Sequence, residues 1–334
     1  GARLARIQAE QFSTPDKPRF VAGDVGPTNK TCSMSPDVSN PAARDITYDE
    51  LFDDCCEQID GLIEGGVDVI LIETVFDTLN CKAMIDAAFT MMKKRGVELP
   101  VMVSLTVSDL AGRTLSGQTI EAFLASLSPY PIFSVGMNCA FGAPQMKPFI
   151  ERMGKIAPYY ISAHPNAGLP NEMGAYDETP ESMAPQIAEF IDEGLVNIIG
   201  GCCGTTPDFI ARYAQMAEGK KPHVVTHRPQ YMWLSGLDLL QVDDHVHAPI
   251  DSSRFVNVGE RCNVAGSRKF LRLINEKSYE EALGIARKQV ADGAAVVDVN
   301  MDDGLLDAKA EMVNFLNMIA AEPEIAKVPI MIDS

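Results

Sequence analysis

The sequence lacks any apolar run that approaches the roughly 20 residues of a membrane-spanning helix, and its N-terminus has no charged-then-apolar signal pattern. Its 28 lysines and arginines form no block and are outnumbered by 46 acidic residues, which gives a formal net charge of −18. Nucleic acid and anionic membranes are therefore poor partners. We expect a cytoplasmic protein that binds neither.

Two further absences narrow the class of protein. The eight cysteines in 334 residues have no regular spacing, which argues against a secreted disulfide scaffold. No G-x-G-x-x-G or Walker pattern indicates a nucleotide site. The length suggests about two domains, each large enough for a buried core.

An adjacent pair of cysteines stands out in residues 200–207, which read GGCCGTTP. Neighbouring side chains on a strand point to opposite faces, so Cys202 and Cys203 could share one metal ion only if the strand breaks between them into a turn. The flanking glycines permit that break. A disulfide between adjacent cysteines would be strained, and it is not expected in a reducing compartment. The pair therefore favours a metal site.

The other cysteines have simpler interpretations. Cys139 closes another short apolar run, in residues 138–142 (NCAFG), and taken alone it could be a small buried hydrophobe. Together with the pair it would make three thiolates and one open position, which suits a catalytic Zn2+. Cysteines without such a context are interpreted as small buried hydrophobes, namely Cys32, Cys55, Cys56 and Cys81. Cys55 and Cys56 lie in a helical pattern, in which adjacent side chains diverge.

One unit recurs along the chain: an amphipathic helix, an acidic or glycine corner, a short apolar run, and a polar residue where the run ends. This is the pattern of parallel βα units. Strands are expected near residues 19–23, 69–73, 100–105, 132–139, 159–164 and 195–203. Nearly continuous apolar strands indicate a sheet covered on both faces. We predict an α/β fold, a (β/α)8 TIM-type barrel, which needs eight strands.

The chain begins inside a helical pattern formed by Leu4, Ile7 and Phe12, and it ends directly after the apolar run 328–332. We therefore expect a fragment of a longer protein, in which the barrel lacks its first strands. An open parallel barrel would expose sheet edges, so the isolated chain is expected to fold poorly or to be inactive in turnover.

In such a barrel the chemistry lies at the C-terminal ends of the strands. Polar residues fall at these ends: Glu73, Cys139, His164 with Asn166, and the cysteine pair. Their common position is more informative than any one of them. His164 alone is interpreted as a core or loop histidine.

The periodicity fails between residues 218 and 254, which predicts a linker after a first domain at 1–217. His245 and His247 lie there beside two aspartates and are interpreted as a solvated loop rather than a metal site. The βα pattern resumes in 255–334 with runs near 256–263, 296–302 and 329–334. These predict the first βα units of a second TIM-type barrel.

Several motifs resemble those of cobalamin-dependent methionine synthases. Residues 200–207, 21–28 (VAGDVGPT), 166–171 (NAGLPN) and 116–119 (SGQT) are similar to the homocysteine-binding module of that family. Residues 259–267 (GERCNVAGS) and 298–302 (DVNMD) resemble the start of its pterin-binding module. The resemblance covers essentially the whole chain.

The resemblance implies a set of site residues in the first module. Cys139, Cys202 and Cys203 match the three zinc thiolates, with the homocysteine sulfur as the fourth ligand. Glu73 matches the acidic residue that helps to hold the amino acid end of homocysteine. Zinc would remove the thiol proton and keep the bound sulfur nucleophilic.

For the second module the resemblance implies a pterin site. Its candidate residues lie at predicted strand ends and are Glu260, Asn263, Asp298, Asn300 and Asp333. Asp298 and Asn300 are two apart on one strand and so face the same way. Asp and Asn at strand ends also commonly cap the next helix, so Asp333 alone would be ambiguous.

The activity that the resemblance implies is methyl transfer from methylcobalamin to homocysteine, giving methionine, with cobalamin recharged from methyltetrahydrofolate. The sequence has no Asp-x-His-x-x-Gly cobalamin motif, so the cobalamin module is expected elsewhere in a parent chain. Two alternatives stay open. One is a folate-independent homocysteine methyltransferase that uses betaine or S-methylmethionine, and the other is an inactive, truncated chain that holds structural zinc.

Overall fold

The computed structural model describes residues 1–225, 231–243 and 255–334. Its helices are α1 (Ala2–Phe12), α2 (Tyr48–Glu64), α3 (Thr78–Arg95), α4 (Ile120–Leu127), α5 (Ala143–Ile156), α6 (Pro180–Asp192), α7 (Pro207–Ala217), α8 (Arg268–Asn275), α9 (Tyr279–Ala291), α10 (Ala308–Ala320) and α11 (Pro323–Ala326). Its strands are β1 (Ala22–Val25), β2 (Val69–Val75), β3 (Val101–Leu105), β4 (Ser134–Asn138), β5 (Tyr160–His164), β6 (Ile198–Ile199), β7 (Tyr231–Ser235), β8 (Leu239–Asp243), β9 (Val258–Asn263), β10 (Val296–Asn300) and β11 (Ile330–Asp333).

The chain divides into two compact units. The first contains residues 1–30, 46–115 and the described part of 128–228, and the second contains 31–45, 116–127 and the described part of 229–334. Two short segments that precede residue 217 thus group with the second unit, which sequence patterning gave no reason to expect. No helix in the described ranges has the length and apolar content to cross a membrane.

The first unit is built on a six-stranded sheet in the order β1-β2-β3-β4-β5-β6. Every neighbouring pair is parallel. Strands that follow one another along the chain and also pair in that order are the arrangement of a TIM-type barrel. The predicted α/β class is therefore confirmed, and a strand is present near each of the six expected positions.

The strands at the centre of this sheet are completely buried. All five residues of β3 and all five of β4 are shielded from solvent. Helices cover them because their apolar faces need the same burial, and side chains fix where the helices begin. Thr47 and Glu50 form a reciprocal cap at the start of α2, and Asp77 accepts two backbone hydrogen bonds at the start of α3.

The second unit contains a three-stranded parallel sheet in the order β11-β10-β9, with α8 to α11 following its strands. Its core combines strand residues such as Val297 and Val299 with the helical residues Phe270 and Phe315, whose rings meet edge to face. This is the βα arrangement expected for residues 255–334.

An antiparallel hairpin of β7 and β8 lies within the predicted linker. This hairpin was not predicted, although residues 232–240 contain its signal, two apolar runs separated by a short turn with Ser and Gly. His245 and His247 lie outside the described residues.

Gly136 provides a test of how closely the strands are packed. It lies opposite Ser162 in the β4–β5 pair, and a Cβ atom at this position would overlap the carbonyl and hydroxyl oxygens of Ser162. We expect Gly136→Ala to lower the free energy of unfolding by at least about 2 kcal/mol, because backbone must move to accept the methyl group. Urea unfolding monitored by circular dichroism would measure the loss.

Gly61 offers a matched control. It lies on α2 with nothing within 4 Å of an added Cβ. Gly61→Ala should raise the free energy of unfolding by about 0.5–1 kcal/mol, since alanine is the better helix former. Equal unfolding midpoints for the two variants would contradict this view of the sheet.

Candidate metal centre and pterin site

The candidate groups of the first unit lie where its parallel strands end. Asp24 is near the end of β1, Glu73 near the end of β2, and Asn138 with Cys139 at the end of β4. His164 ends β5, and the cysteine pair follows β6. Because parallel strands end at the same edge of a sheet, residues far apart in sequence meet there.

Three cysteine sulfurs form a cluster at this edge. The Sγ atoms of Cys139, Cys202 and Cys203 all lie within 4.8 Å of one another, an arrangement that could hold a metal ion. Cys139 Sγ is 3.8 Å from Cys203 Sγ, and Cys202 Sγ is 3.9 Å from Cys203 Sγ. The structure therefore brings together the three thiols that the sequence singled out.

The two adjacent cysteines face the same point because β6 ends before them. The strand stops at Ile199, and the amide of Thr205 donates to the carbonyl of Cys202 at 3.2 Å to close a turn. The expected break is present, but it precedes the pair instead of falling between its members. An extended strand through both residues would have separated the sulfurs.

The segment that follows β5 forms three hydrogen bonds with the backbone of the cysteine pair. The amide of Cys202 donates to the carbonyl of Pro165 at 3.0 Å, and the amide of Cys203 donates to Asn166 Oδ1 at 3.1 Å. The carbonyl of Cys203 accepts from the amide of Ala167 at 2.9 Å. Asn166 thus acts on the cluster by orienting the Cys203 backbone.

Cys139 reaches the cluster through an unusual backbone. Cys139 and Ala140 have φ angles of 59° and 57°, in the left-handed region that non-glycine residues rarely occupy. Two such residues in succession turn the chain sharply at the end of β4. The Cys139 amide still donates to the His164 carbonyl, at 3.3 Å, so the turn begins only after the strand has paired.

The environment of Cys202 disfavours its thiolate form. Burial, reinforced by the two neighbouring thiols, raises the pKa of Cys202 to about 12, although a contact with Asn138 opposes the shift. A hydrogen bond to Cys203 raises the pKa of the Tyr176 hydroxyl. Cys202 therefore keeps its proton at neutral pH until a cation displaces it.

His164 lies beside the cluster as a neutral side chain. Burial lowers its pKa to about 4. Its ring packs so close to Gly200 that a Cβ atom there would fall 2.6 Å from His164 Cδ2. Gly200 is therefore required for close packing at this position.

A carboxylate pair lies at the neighbouring strand ends. Burial and the nearby charge of Asp24 raise the pKa of Glu73, although a hydrogen bond from Thr74 opposes the shift. Partial burial also raises the pKa of Asp24. Asp24 was missed as a candidate residue, although it ends an apolar run in the same way as Glu73.

Asn138 was also missed. It is 2% exposed, and its amide group bonds with Glu73, Thr74 and Ser104. Its Nδ2 atom is 3.8 Å from Cys202 Sγ. The only signal in the sequence was its place immediately before Cys139, and that position does not reveal partners that lie 34 to 65 residues away.

The remaining cysteines do not join the cluster. Cys55 and Cys56 lie on α2, in line with their helical pattern, and Cys81 lies on α3. Cys32 is buried. Within the described part of the chain, the group of Cys139, Cys202 and Cys203 is the one found with metal-binding geometry.

In the second unit, four of the five pterin candidates meet at the ends of β9, β10 and β11. Asn263 Nδ2 is 3.4 Å from Asp298 Oδ2, and Asn300 Nδ2 donates to Asp333 Oδ2 at 3.2 Å. Asp298 and Asn300 are buried polar residues of β10. Val297 and Val299, which alternate with them along the strand, belong to the hydrophobic core. The two polar residues therefore share the opposite face of β10.

Asp298 has the most perturbed surroundings of this group. Burial and the charges of Asp333 and Glu260 raise its pKa, against a hydrogen bond from Asn263. Its Oδ1 atom is buried and has no hydrogen-bond partner among the described residues. Glu260 lies at an irregularity in the β9–β10 register and is exposed.

Two protein families match this chain, each over one part of its length. Residues 1–217 match the homocysteine S-methyltransferase family, and residues 259–334 match the pterin-binding enzymes. Since the first match covers well over half of the 334 residues, the chain belongs to the homocysteine S-methyltransferase family.

Similar solved structures include three of the homocysteine methyltransferase MmuM from Escherichia coli. The apo form is 20% identical, with a TM-score of 0.50, and the match covers 64% of this chain and 70% of that chain. The metallated form is 19% identical, with a TM-score of 0.48, and the match covers 64% of this chain and 67% of that chain. The oxidized form is 18% identical, with a TM-score of 0.46, and the match covers 64% of this chain and 66% of that chain. The likeness to the apo form shows a common fold.

Gly204 allows a test of the turn that carries the cysteine pair. It has φ 79°, and a Cβ atom there would fall 2.5 Å from Tyr176 Cβ. Gly204→Ala should weaken Cd2+ binding at least tenfold, because the backbone at residue 204, which directly follows Cys203, must move away from Tyr176. The thiolate-to-cadmium absorption band would follow the titration.

Gly174 is the matched control for this substitution. It has φ 75° but nothing within 4 Å of an added Cβ. Gly174→Ala therefore carries the same backbone strain, about 1–2 kcal/mol, without the contact. Equal Cd2+ affinities for the two alanine variants would show that the packing of Tyr176 on Gly204 does not position the cysteines.

Proposed function

We propose that this chain provides the homocysteine-binding site of a cobalamin-dependent methionine synthase, an enzyme that transfers a methyl group to homocysteine to form methionine, with 5-methyltetrahydrofolate as the methyl source. The observation that carries the proposal is the convergence of Cys139, Cys202 and Cys203 at one point of the strand-end edge. The family match over residues 1–217 supports homocysteine as the acceptor.

The cluster geometry fits zinc. Zinc–sulfur bonds of about 2.3 Å in a tetrahedron put the sulfurs about 3.8 Å apart. The two measured sulfur–sulfur distances, 3.8 Å and 3.9 Å, agree with this value. Zinc bound there would supply a Lewis acid that holds the homocysteine sulfur as a thiolate. Three protein thiolates would leave one coordination position for that sulfur.

The carboxylates of Glu73 and Asp24 would hold the ammonium group of homocysteine. Partial burial raises the pKa of both carboxyl groups, and the charge of Asp24 adds to the shift of Glu73. A cation bound between them would favour their ionised forms. Glu73 is linked through Asn138 to Cys202. The amino acid end and the sulfur end of the substrate would thus be bound by neighbouring groups.

The second unit would bind the pterin of methyltetrahydrofolate. We assign its recognition to Glu260, Asn263, Asp298, Asn300 and Asp333 at the ends of β9 to β11. Asp298 Oδ1, which has no hydrogen-bond partner among the described residues, supports this assignment, because a pterin ring offers N–H donors to a carboxylate. In this proposal residues 1–217 and 255–334 form the two modules and 218–254 connect them.

The pterin match also supports a folate donor over betaine or S-methylmethionine, because a folate-independent enzyme has no use for a second, pterin-binding unit. Cobalamin would carry the methyl group between the two sites. No residue of this chain is assigned to it, since the sequence lacks the Asp-x-His-x-x-Gly motif.

The metal site is tested by zinc stoichiometry and X-ray absorption. The purified chain should bind about one zinc, and homocysteine should add a sulfur ligand to it. Cys202→Ala with Cys203→Ala should abolish this zinc because two of three thiolates are lost. Cys55→Ala with Cys56→Ala, the other adjacent pair, should leave it unchanged.

The outcomes separate the proposed enzyme from a structural zinc protein. A closed structural site has four protein ligands, so its zinc would not gain a sulfur from homocysteine. Zinc retained after loss of Cys202 and Cys203 would refute the ligand assignment.

The pterin site is tested by Asp298→Asn. The substitution keeps the size of the side chain but replaces a carboxylate oxygen by an amino group that cannot accept from the pterin. The dissociation constant of 5-methyltetrahydrofolate, measured by calorimetry, should rise at least about tenfold, the cost of losing a hydrogen bond to a charged group. The exposed Asp292, which pairs with Lys288, gives the control Asp292→Asn. Equal affinities for the two variants would contradict the assignment.

A further inference from the structure

The side-chain amide of Asn138 is fully engaged on its oxygen side. Asn138 ends β4, and its Oδ1 atom accepts from the backbone N–H of Thr74 at 3.0 Å and from Ser104 Oγ at 2.6 Å. A carbonyl oxygen has two lone pairs, and both are used here. The amide therefore joins the ends of β2, β3 and β4.

These contacts fix which way the amide group points. The backbone N–H of Thr74 can only donate, so it must face Oδ1 and not the NH2 group. The NH2 group consequently faces Glu73 Oε2 at 3.0 Å, Thr74 Oγ1 at 2.7 Å and Cys202 Sγ at 3.8 Å. Two of these three acceptors become anionic when Glu73 ionises and Cys202 binds a metal ion.

We propose that Asn138 is a positioning residue that couples the carboxylate holding the amino acid end of the substrate to the thiolate that holds the metal. This inference rests on the proposed function, because Glu73 and Cys202 would bind opposite ends of one homocysteine molecule. A small amino acid can engage both ends only if their separation is fixed. One amide bonded to both groups fixes it.

The backbone of Thr74 gives the coupling a second route. Thr74 has φ 55°, a strained conformation for a β-branched residue, and it directly follows Glu73. Asn138 bonds to both the amide and the hydroxyl of Thr74. Without those bonds the strained residue would relax and turn the Glu73 carboxylate away from the metal centre.

Asn138→Ala in the full chain is the direct test, with Ser104→Ala as its matched control. The control removes a buried hydrogen bond to the same amide but leaves every contact of Nδ2. We expect Asn138→Ala to raise the dissociation constant of homocysteine at least tenfold and to shift the sulfur-to-metal absorption band of the Co2+-loaded protein, as loss of outer hydrogen-bond partners of metal ligands does. Ser104→Ala should change the affinity less than threefold and leave the band in place.

A double-mutant cycle tests whether the effect passes through Glu73. In a Glu73→Gln background, Asn138→Ala should weaken homocysteine binding less than threefold, because the carboxylate that it positions is gone. An equal loss in both backgrounds would show that Asn138 only stabilises the fold and would overturn the coupling.

Asn138→Asp keeps the shape of the side chain and both acceptor contacts, so it covers the case in which the alanine variant does not fold. It places an oxygen opposite Cys202 Sγ, and the Co2+ absorption band should again shift. Unchanged bands and unchanged homocysteine affinity in the folded Asn138 variants would overturn the inference. Failure of the unsubstituted chain to bind Co2+ and homocysteine would instead overturn the proposed function.

Discussion

The candidate chemistry depends on one constraint, the common edge at which the parallel strands of the first unit end. Cys139 and Cys203 are 64 residues apart, yet their sulfurs lie 3.8 Å from each other because β4, β5 and β6 are successive neighbours in the sheet. At the centre of this sheet, β3 and β4 are completely buried. Rigid packing below the edge therefore fixes the positions of side chains above it.

The edge also concentrates backbone strain. Four non-glycine residues of the described ranges have positive φ, and three of them, Thr74, Cys139 and Ala140, lie around the cysteine cluster. Each costs on the order of 1–3 kcal/mol and persists only where surrounding contacts hold it. Asn138 provides several of those contacts, since it bonds to Thr74 and directly precedes Cys139. The strain and the hydrogen bonds that support it thus belong to the same few residues as the proposed chemistry.

Much of the fold and part of the site could be predicted because they depend on local patterns. The apolar runs between helical patterns predicted the positions of the nine parallel strands in the two larger sheets. The glycines around the two adjacent cysteines indicated that the strand must break there. Asp24 and Asn138 escaped prediction because a polar residue at a strand end is equally consistent with a helix cap. The grouping of residues 31–45 and 116–127 with the second unit depends on tertiary contacts, which leave no periodic trace in the sequence.

The number of thiols argues for an exchangeable ligand rather than a purely structural site. Zinc held for stability is usually enclosed by four protein ligands. In the described part of the chain the cluster comprises three cysteines, and neither a histidine nor a carboxylate completes it. The carboxyl groups at the same edge, Glu73 and Asp24, have raised pKa values and lie where they could take the cationic end of an amino acid. A ligand that brings both a thiol and an ammonium group would satisfy a metal ion bound there and the carboxylates together, and homocysteine is such a ligand.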